Sequence, residues 1–392
     1  MKKVLLMVLS AVSLHIAHAQ TEFVTVWKTD NAGLSASNQV SIPGSSTYNI
    51  QWENVNNPAI QGTVAGNNTT VVTFPAAGTY RVKMRPVLPN TIMNFHIRAD
   101  GQINDALKLL LVEQWGTSTW GGNMSSAFSG CRNLDITATD IPDFSQVTNM
   151  VSMFYDCSSL IGNATFNNWN VANVIHMTGM FYLATRFNQP LSNWNTANVK
   201  NMAAMFWRAS GFNQPLNSWN VANVTDMNSM FGHATSFNQP LDDWNTGNVA
   251  DMSQMYSGAS GFNQSLGAWN LSRVTNMKEM LSNAGMDCSR YDSTLIGWAN
   301  ASATPGNVSL GAASLVYSSE AAVTARANLV SKGWTITGDS HNPVCNEGVQ
   351  APDLTPNTEL GFTTFAREGA ARNLLVQLQE IKEVSTQAGV IN

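Results

Sequence analysis

The residues whose types could support catalysis are few and widely spaced in this sequence. Histidine is the commonest acid–base catalyst near neutral pH, and beyond the first twenty residues the histidines are His96, His176, His233 and His341. Neither His176 nor His233 has a nucleophile or a carboxylate partner near it in the sequence. We therefore expect that the chain is not an enzyme.

An acidic cluster, Asp135, Asp140 and Asp143 in "LDITATDIPDF", could bind a metal ion. Calcium prefers carboxylate oxygens, but this spacing is not that of an EF-hand loop. Solvated turn residues are the simpler interpretation. The sequence therefore predicts no metal and no cofactor.

A tryptophan recurs every 25 residues and is followed each time by an asparagine. The tryptophans are Trp169, Trp194, Trp219, Trp244 and Trp269. Regularly spaced tryptophans could stack on sugars, but leucines recur at the same period, which favours a place in the core. The asparagines could line a polar binding face, but we favour hydrogen bonds to turn backbone, because buried backbone groups must be paired.

The elements that position these side chains can be predicted from one copy, "VTDMNSMFGHA". Asp226 is a suitable helix N-cap, and the apolar residues after it are spaced as on one face of a short helix. Pro240 would end any helix, and residues 241–244 then have the pattern of a short extended segment. The first methionine of each predicted helix recurs at Met177, Met202, Met227, Met252 and Met277.

A single unit of this kind cannot bury its apolar side, whereas a stack of units can. A period of 25 residues is typical of such stacked repeats. The sequence predicts an α/β repeat solenoid that is leucine-rich-repeat-like, with one short helix and one short strand in each 25-residue coil. Tryptophan and methionine would form ladders in its interior.

Four cysteines lack the close pairing that zinc sites use. Cys131 and Cys157 occupy one repeat position, where later copies have alanine. They are either small buried residues or partners in a disulfide between adjacent coils, and the sequence leaves both open. A Cys288–Cys345 disulfide could close the C-terminal end.

The run "FNQPLSNWNTANVKNMAAMF" and its neighbours resemble the BspA-like leucine-rich-repeat surface proteins. The 25-residue unit of that family also occurs in mycoplasma surface lipoproteins. The resemblance covers residues 109–337 and is most regular from Trp169 to Met280. It implies a solenoid on a bacterial surface. Some members bind host matrix proteins or other bacteria, so the family does not identify a ligand.

Pairs of residues that precede the tryptophans differ between copies while their neighbours do not. Variable positions on a constant scaffold are suited to recognition. The candidate interaction residues are Ser192, Asn193, Asn217, Ser218, Asp242 and Asp243.

The flanking segments differ in composition from the repeats. Residues 20–100 contain short β-type runs broken by turn residues, which predicts a small all-β, sandwich-like domain. The stretch "FPAAGTYRVKM" resembles the end of PKD-like domains, which implies an Ig/PKD-like fold for this domain. Residues 101–285 would form the solenoid with its N-terminal cap, "LLLVEQWGTSTW", and residues 286–338 a C-terminal cap. Residues 339–392 have the pattern of a linker and the start of an incomplete further module.

The first residues predict export. Lys2 and Lys3 precede an apolar run that ends in Ala-His-Ala, as in a Sec-type signal peptide cleaved after Ala19. No later segment is apolar for long enough to cross a membrane. Only 11% of the residues are charged and the formal net charge is −5, which argues against a nucleic-acid partner.

Together these patterns predict a secreted or cell-surface bacterial repeat protein that acts as an adhesion or protein-interaction module. The alternative is a carbohydrate-binding or accessory module of a larger exported protein. The expected partner is an extracellular protein or a glycan.

Overall fold

The computed structural model describes residues 21–44, 47–88, 92–97 and 105–344. The predicted signal peptide and the segment from Cys345 onward therefore lie outside the described residues. The chain divides into two compact units, the first ending at Val174 and the second beginning at Ile175. No helix in the described ranges has the length and apolar character needed to span a membrane.

The first unit is built on β-strands. Its strands are β1 (Phe23–Lys28), β2 (Gln39–Ile42), β3 (Thr47–Asn54), β4 (Gln61–Asn67), β5 (Thr70–Thr73), β6 (Thr79–Pro86), β7 (Leu109–Gln114) and β8 (Asp135–Ile136). Six of them form one sheet in the order β4-β3-β6-β1-β7-β8, while β2 and β5 pair separately. All of these pairings are antiparallel except that between β7 and β8. Residues 109–114, predicted to begin the cap of the repeats, thus belong to this sheet.

Alternation along β3 shows how the sequence sets the core of this unit. Tyr48, Ile50 and Trp52 are buried, and exposed residues stand between them. Side chains in a strand alternate between the two faces of a sheet, so these three share one face. Trp52 contacts Phe74 edge-on, with ring centroids 5.2 Å apart. This face is therefore an aromatic core.

A buried ion pair just before β7 is hydrogen-bonded to the segment between β1 and β2. The side chains of Asp105 and Lys108 are each 1% exposed, with Oδ1 and Nζ 3.7 Å apart. Lys108 Nζ also donates hydrogen bonds of 2.9–3.0 Å to the carbonyl oxygens of Ser35, Ala36 and Gln39. These bonds compensate the desolvation of the ammonium group, which would otherwise be costly.

In the second unit the repeats contain turns instead of helices and strands. The sequence prediction of an α/β solenoid with one helix and one strand per coil is wrong. Residues 175–287 are all described and contain no α-helix and no strand longer than a single bridged residue. The described chain is mostly β-sheet and turn, with two short α-helices, α1 (Cys288–Asn300) and α2 (Glu320–Ser331).

Backbone hydrogen bonds explain why the predicted helices do not form. Met227, Ser229 and Phe231 donate their N–H groups to residues of the next repeat at 2.8–2.9 Å, and Met230 donates to Met227 three residues back. Every second N–H is therefore used between repeats and is not available for an i→i−4 helical bond. Each repeat consists of successive turns held against its neighbour.

Left-handed residues make this pattern possible. Ser229 and His233 have φ of 58° and 55°, and the previous repeat has Ala204 and Arg208 at 53° and 55°. Two such residues in eleven interrupt any right-handed helix. Asp226 also differs from the predicted N-cap, because its Oδ1 accepts the N–H of Asn228, two residues on, as in an Asx turn.

An asparagine ladder also links the repeats of the second unit. Oδ1 of Asn188 accepts a hydrogen bond from the N–H of Asn213 at 2.9 Å, and Oδ1 of Asn213 accepts one from the N–H of Asn238 at 2.9 Å. Oδ1 of Asn238 accepts the N–H of Asn263 at 2.8 Å and Nε2 of Gln264 at 2.8 Å. The repeated "FNQ" thus has a structural purpose.

The second unit ends in a segment without the repeat. Asp287 caps α1 by accepting the N–H of Arg290, and Ser319 caps α2. The short strands of this segment are β9 (Ser309–Gly311), β10 (Val316–Tyr317), β11 (Thr335–Thr337) and β12 (Ser340–His341). They pair in parallel as β9 with β11 and β10 with β12.

Candidate interaction surface

The predicted tryptophan ladder lies in the interior. All five tryptophans are at most 3% exposed: Trp169 in the first unit, and Trp194, Trp219, Trp244 and Trp269 in the second. The indole N–H groups of the last three donate to leucine carbonyl oxygens of the preceding repeat at 2.9–3.0 Å. Buried and hydrogen-bonded in this way, these rings have no face available for a sugar.

Methionine and phenylalanine fill the rest of this interior. All five methionines of the predicted ladder are fully buried: Met177, Met202, Met227, Met252 and Met277. Phe206 lies parallel to Phe181 and to Phe231, with centroids 5.6 Å apart in both cases. Packing between repeats is thus continuous across the second unit.

The asparagines that follow the tryptophans are exposed, and each uses its side chain locally. Oδ1 of Asn195, Asn220 and Asn245 accepts the N–H two residues further on at 3.1–3.2 Å. These are Asx turns, which support the backbone where the chain reverses.

The six candidate interaction residues divide into two kinds. Asp242 and Asp243 are exposed, as are Asn193 and Ser218, while Ser192 and Asn217 are half-buried. Asn217 Nδ2 donates to Asp243 Oδ2 at 2.6 Å, and Asp243 N–H donates to Asn217 Oδ1 at 3.0 Å. The Ser218 hydroxyl donates to the Ser192 carbonyl at 2.8 Å. Ser192, Asn217, Ser218 and Asp243 therefore take part in contacts between repeats.

A second surface was missed by the sequence reasoning. Tyr182, Trp207 and His233, which we call the aromatic strip, are half-buried side chains on three consecutive repeats. The rings of Tyr182 and Trp207 are near-parallel, at 15°, with centroids 6.3 Å apart. His233 meets Trp207 edge-on at 5.0 Å. The signal in the sequence is that Tyr182 and Trp207, each directly after an interior phenylalanine, are aromatic where the following repeats have Gly232 and Ser257.

Glycines make room for two rings of the aromatic strip. A Cβ on Gly232 would lie 2.2 Å from Cζ3 of Trp207, and a Cβ on Gly258 would lie 2.4 Å from Nδ1 of His233. Each ring thus occupies the space that a side chain of the following repeat would take. The missing Cβ atoms fix where the rings lie.

Arg208 sets the charge beside the aromatic strip. Its side chain is exposed, and it forms no ion pair with any residue that the structure describes. Partial burial and the Arg208 charge both lower the pKa of His233 below its ordinary value. His233 is therefore neutral at neutral pH, with one nitrogen able to donate and the other to accept.

The acidic cluster serves the backbone of the first unit. Asp140 accepts the N–H groups of Trp115 and Gly116 at 2.8–3.0 Å. Asp135 accepts the N–H of Gly162 at 2.8 Å. Hydrogen bonds from Ser145 and Thr119 lower the pKa of Asp143. Across the described ranges, no group of three or more His, Cys, Asp or Glu side chains could hold a metal ion.

The cysteines of the first unit are free thiols. Cys131 and Cys157 are both fully buried, and the Cys157 thiol donates to the Phe128 carbonyl. Burial raises the pKa of both thiols. The Cys131–Cys157 disulfide that the sequence left open is thus not formed, and both residues fill the small position. Cys288 is disulfide-bonded, whereas Cys345, its predicted partner, lies outside the described residues.

This geometry describes a protein of stacked 25-residue repeats with a constant interior and a changing surface. Two overlapping segments, residues 122–231 and 201–293, match the family described as "Mycoplasma protein of unknown function, DUF285". The chain is similar to that family across its repeats. No curated protein and no solved structure matches the chain.

Proposed function

We propose that the chain is a non-catalytic adhesion and protein-interaction module that acts outside the cell or on its surface. The observation that carries this proposal is the contrast between interior and surface positions of the second unit. The interior phenylalanine recurs unchanged as Phe181, Phe206 and Phe231, while the residue that follows it changes from Tyr182 to Trp207, both half-buried, and then to Gly232. A scaffold that holds its core and changes its surface is suited to binding.

Two sequence features support the same proposal. The similarity to the mycoplasma family covers residues 122–293, and the quoted repeats resemble BspA-like surface proteins, of which some bind matrix proteins or other bacteria. The start of the chain has the pattern of a Sec-type signal peptide cleaved after Ala19. Export would expose the repeats to extracellular partners.

Retention assays test the proposal directly. The mature chain, immobilised on beads, is incubated with extracellular matrix proteins and, separately, with whole bacterial and epithelial cells. We expect saturable retention of at least one of these, with a Kd in the micromolar range or below. Beads that carry an equal amount of heat-unfolded chain are the control. If the folded chain retains no matrix protein and no cells, the adhesion proposal is wrong.

Localisation is tested separately. Antibodies to the second unit should label intact cells of the producing organism, or detect the chain in its culture medium, with the residue after Ala19 at its N-terminus. Detection in the cytoplasmic fraction alone, with Met1 retained, would contradict the extracellular part of the proposal.

A further inference from the structure

We propose that the aromatic strip of Tyr182, Trp207 and His233 is a glycan-binding site. This inference rests on the proposed function and assigns a class of ligand to one surface of the second unit. Sugar rings present patches of C–H groups, which are attracted to the electron-rich faces of aromatic rings. Hydroxyl groups around the sugar ring then need polar partners at the edge of the site.

The aromatic strip holds its rings in place before any ligand arrives. Tyr182 and Trp207 lie on adjacent repeats, 6.3 Å apart between ring centroids. Trp207 lies in the space left by the absent Cβ of Gly232. Rings that are fixed in advance lose little conformational entropy on binding, and this reduces the cost of association.

Polar groups that suit a sugar border the rings. Arg208 is exposed with a free guanidinium among the described residues, and it can donate to hydroxyl or carboxylate oxygens. His233 is neutral because its pKa is lowered, so it can both donate to and accept from hydroxyl groups. This mixture of aromatic faces with hydrogen-bonding edges is typical of small-ligand sites.

The surrounding surface favours a glycan over a folded protein. Stable protein interfaces have an apolar core within about 800 Å² per partner. Within residues 175–287, no large aliphatic side chain is exposed. The exposed residues there are mainly Asn, Ser, Thr and Asp. Polar side chains therefore border the aromatic strip, and such surroundings suit the hydroxyl groups of a sugar better than the apolar core of a protein interface.

A glycan array with matched variants tests the inference. The mature chain and three variants, Trp207→Ala, Gly232→Ala and Thr235→Ala, are applied to immobilised pyranose oligosaccharides that include neutral and uronic-acid sugars. We expect the unmodified chain to bind a subset of them. Trp207→Ala should weaken this binding by about tenfold or more, as for the loss of a central aromatic residue.

Gly232→Ala separates ring position from ring presence. All aromatic residues remain, but the new Cβ would lie 2.2 Å from Trp207 and must displace its ring. We expect a loss similar to that of Trp207→Ala. Thr235 is exposed and lies outside the aromatic strip, so Thr235→Ala should bind as the unmodified chain does. Thermal unfolding of each variant shows whether it is folded.

The outcomes separate this inference from the proposed function. No retained oligosaccharide, or full binding by both Trp207→Ala and Gly232→Ala, would overturn the glycan site. If beads still retained matrix proteins or cells in that case, the adhesion proposal would stand with a different binding surface. If either strip variant fails to fold, the other decides the result.

Discussion

Replacing Tyr256 with phenylalanine should stabilise the second unit. Tyr256 occupies the interior position that is Phe231 in the preceding repeat, and its ring is parallel to those of Phe231 and Phe262 at 5.6 and 3.9 Å. The residue is fully buried, and its hydroxyl has no hydrogen-bond partner in the described part of the chain. On folding, the hydroxyl therefore loses its hydrogen bonds to water and gains no hydrogen bond within the protein in their place.

The size of the effect follows from that unpaired hydroxyl. Burial of an unpaired hydroxyl group destabilises the fold by about 1–3 kcal/mol. Removal of the oxygen also removes its van der Waals contacts, which contribute roughly 0.5 kcal/mol. We expect Tyr256→Phe to raise the free energy of unfolding by about 1–2 kcal/mol. For a unit of this size the melting temperature should rise by roughly 2–8 °C. Urea unfolding followed by circular dichroism measures the change.

Alkaline pH provides a second test of the same variant. Desolvation raises the pKa of Tyr256 well above its ordinary value of 10.0 in the folded chain. Above pH 10.0, the ordinary pKa of tyrosine, the unfolded state loses the proton while the folded state keeps it, so the free energy of unfolding falls as the pH rises. The advantage of Tyr256→Phe should therefore grow above pH 10.

Phe231→Tyr is the matched control. It adds a hydroxyl at the equivalent buried position, and we expect it to lower the free energy of unfolding by about 1–3 kcal/mol. A loss of stability in Tyr256→Phe would refute the reasoning. It would mean that the hydroxyl is paired in solution, for instance with a buried water molecule.

Three further changes test other contacts. Asn238→Ala removes two hydrogen bonds between repeats and should destabilise the chain by about 1–3 kcal/mol in urea unfolding; an unchanged midpoint would show that water replaces them. Lys108→Met leaves the buried Asp105 carboxylate without a counter-charge, with only its hydrogen bonds from Ser35 and Ser41, and should cost about 3–5 kcal/mol, whereas the double variant Lys108→Met/Asp105→Asn should recover part of this loss. Cys131 and Cys157 should resist iodoacetamide in the folded chain and react after denaturation, because both thiols are buried with raised pKa values; mass spectrometry of the labelled chain would reveal premature modification.

The 25-residue period and the burial of its apolar residues could be predicted from sequence because the same side chains recur at each interior position. The local conformation could not. Ala204 and Ser229 have a left-handed φ, but alanine and serine are not residue types that indicate this conformation. It is unfavourable for an isolated residue by about 1–2 kcal/mol. Hydrogen bonds to the next repeat compensate it, and these exist only after the repeats have stacked. Successive turns bury the same apolar residues that one face of a helix would bury. The i, i+3, i+4 spacing therefore indicated a helix where the chain forms turns.

The candidate site was predictable only in part for a related reason. Asn217 and Asp243 differ between copies, which indicated a free recognition surface, yet they hydrogen-bond to each other across adjacent repeats. Part of the variation between copies therefore falls on residues that contact each other. Trp207 was overlooked because it breaks the repeated pattern, and its closeness to Tyr182 depends on a stacking that local sequence does not describe.

The backbone bonds between repeats have a consequence for the length of the chain. Met202 donates to Asp226 at 3.0 Å, and Met227 donates to Asp251 at 2.9 Å, so every repeat offers its successor the same acceptors and donors. In the last repeat, the N–H of Met277 donates to the carbonyl oxygen of Ser309 in β9 instead of to a further repeat. A whole 25-residue copy could therefore be gained or lost between these points with each bond re-formed to an equivalent residue. Unequal recombination between such copies would change the reach of the molecule while leaving both of its ends intact.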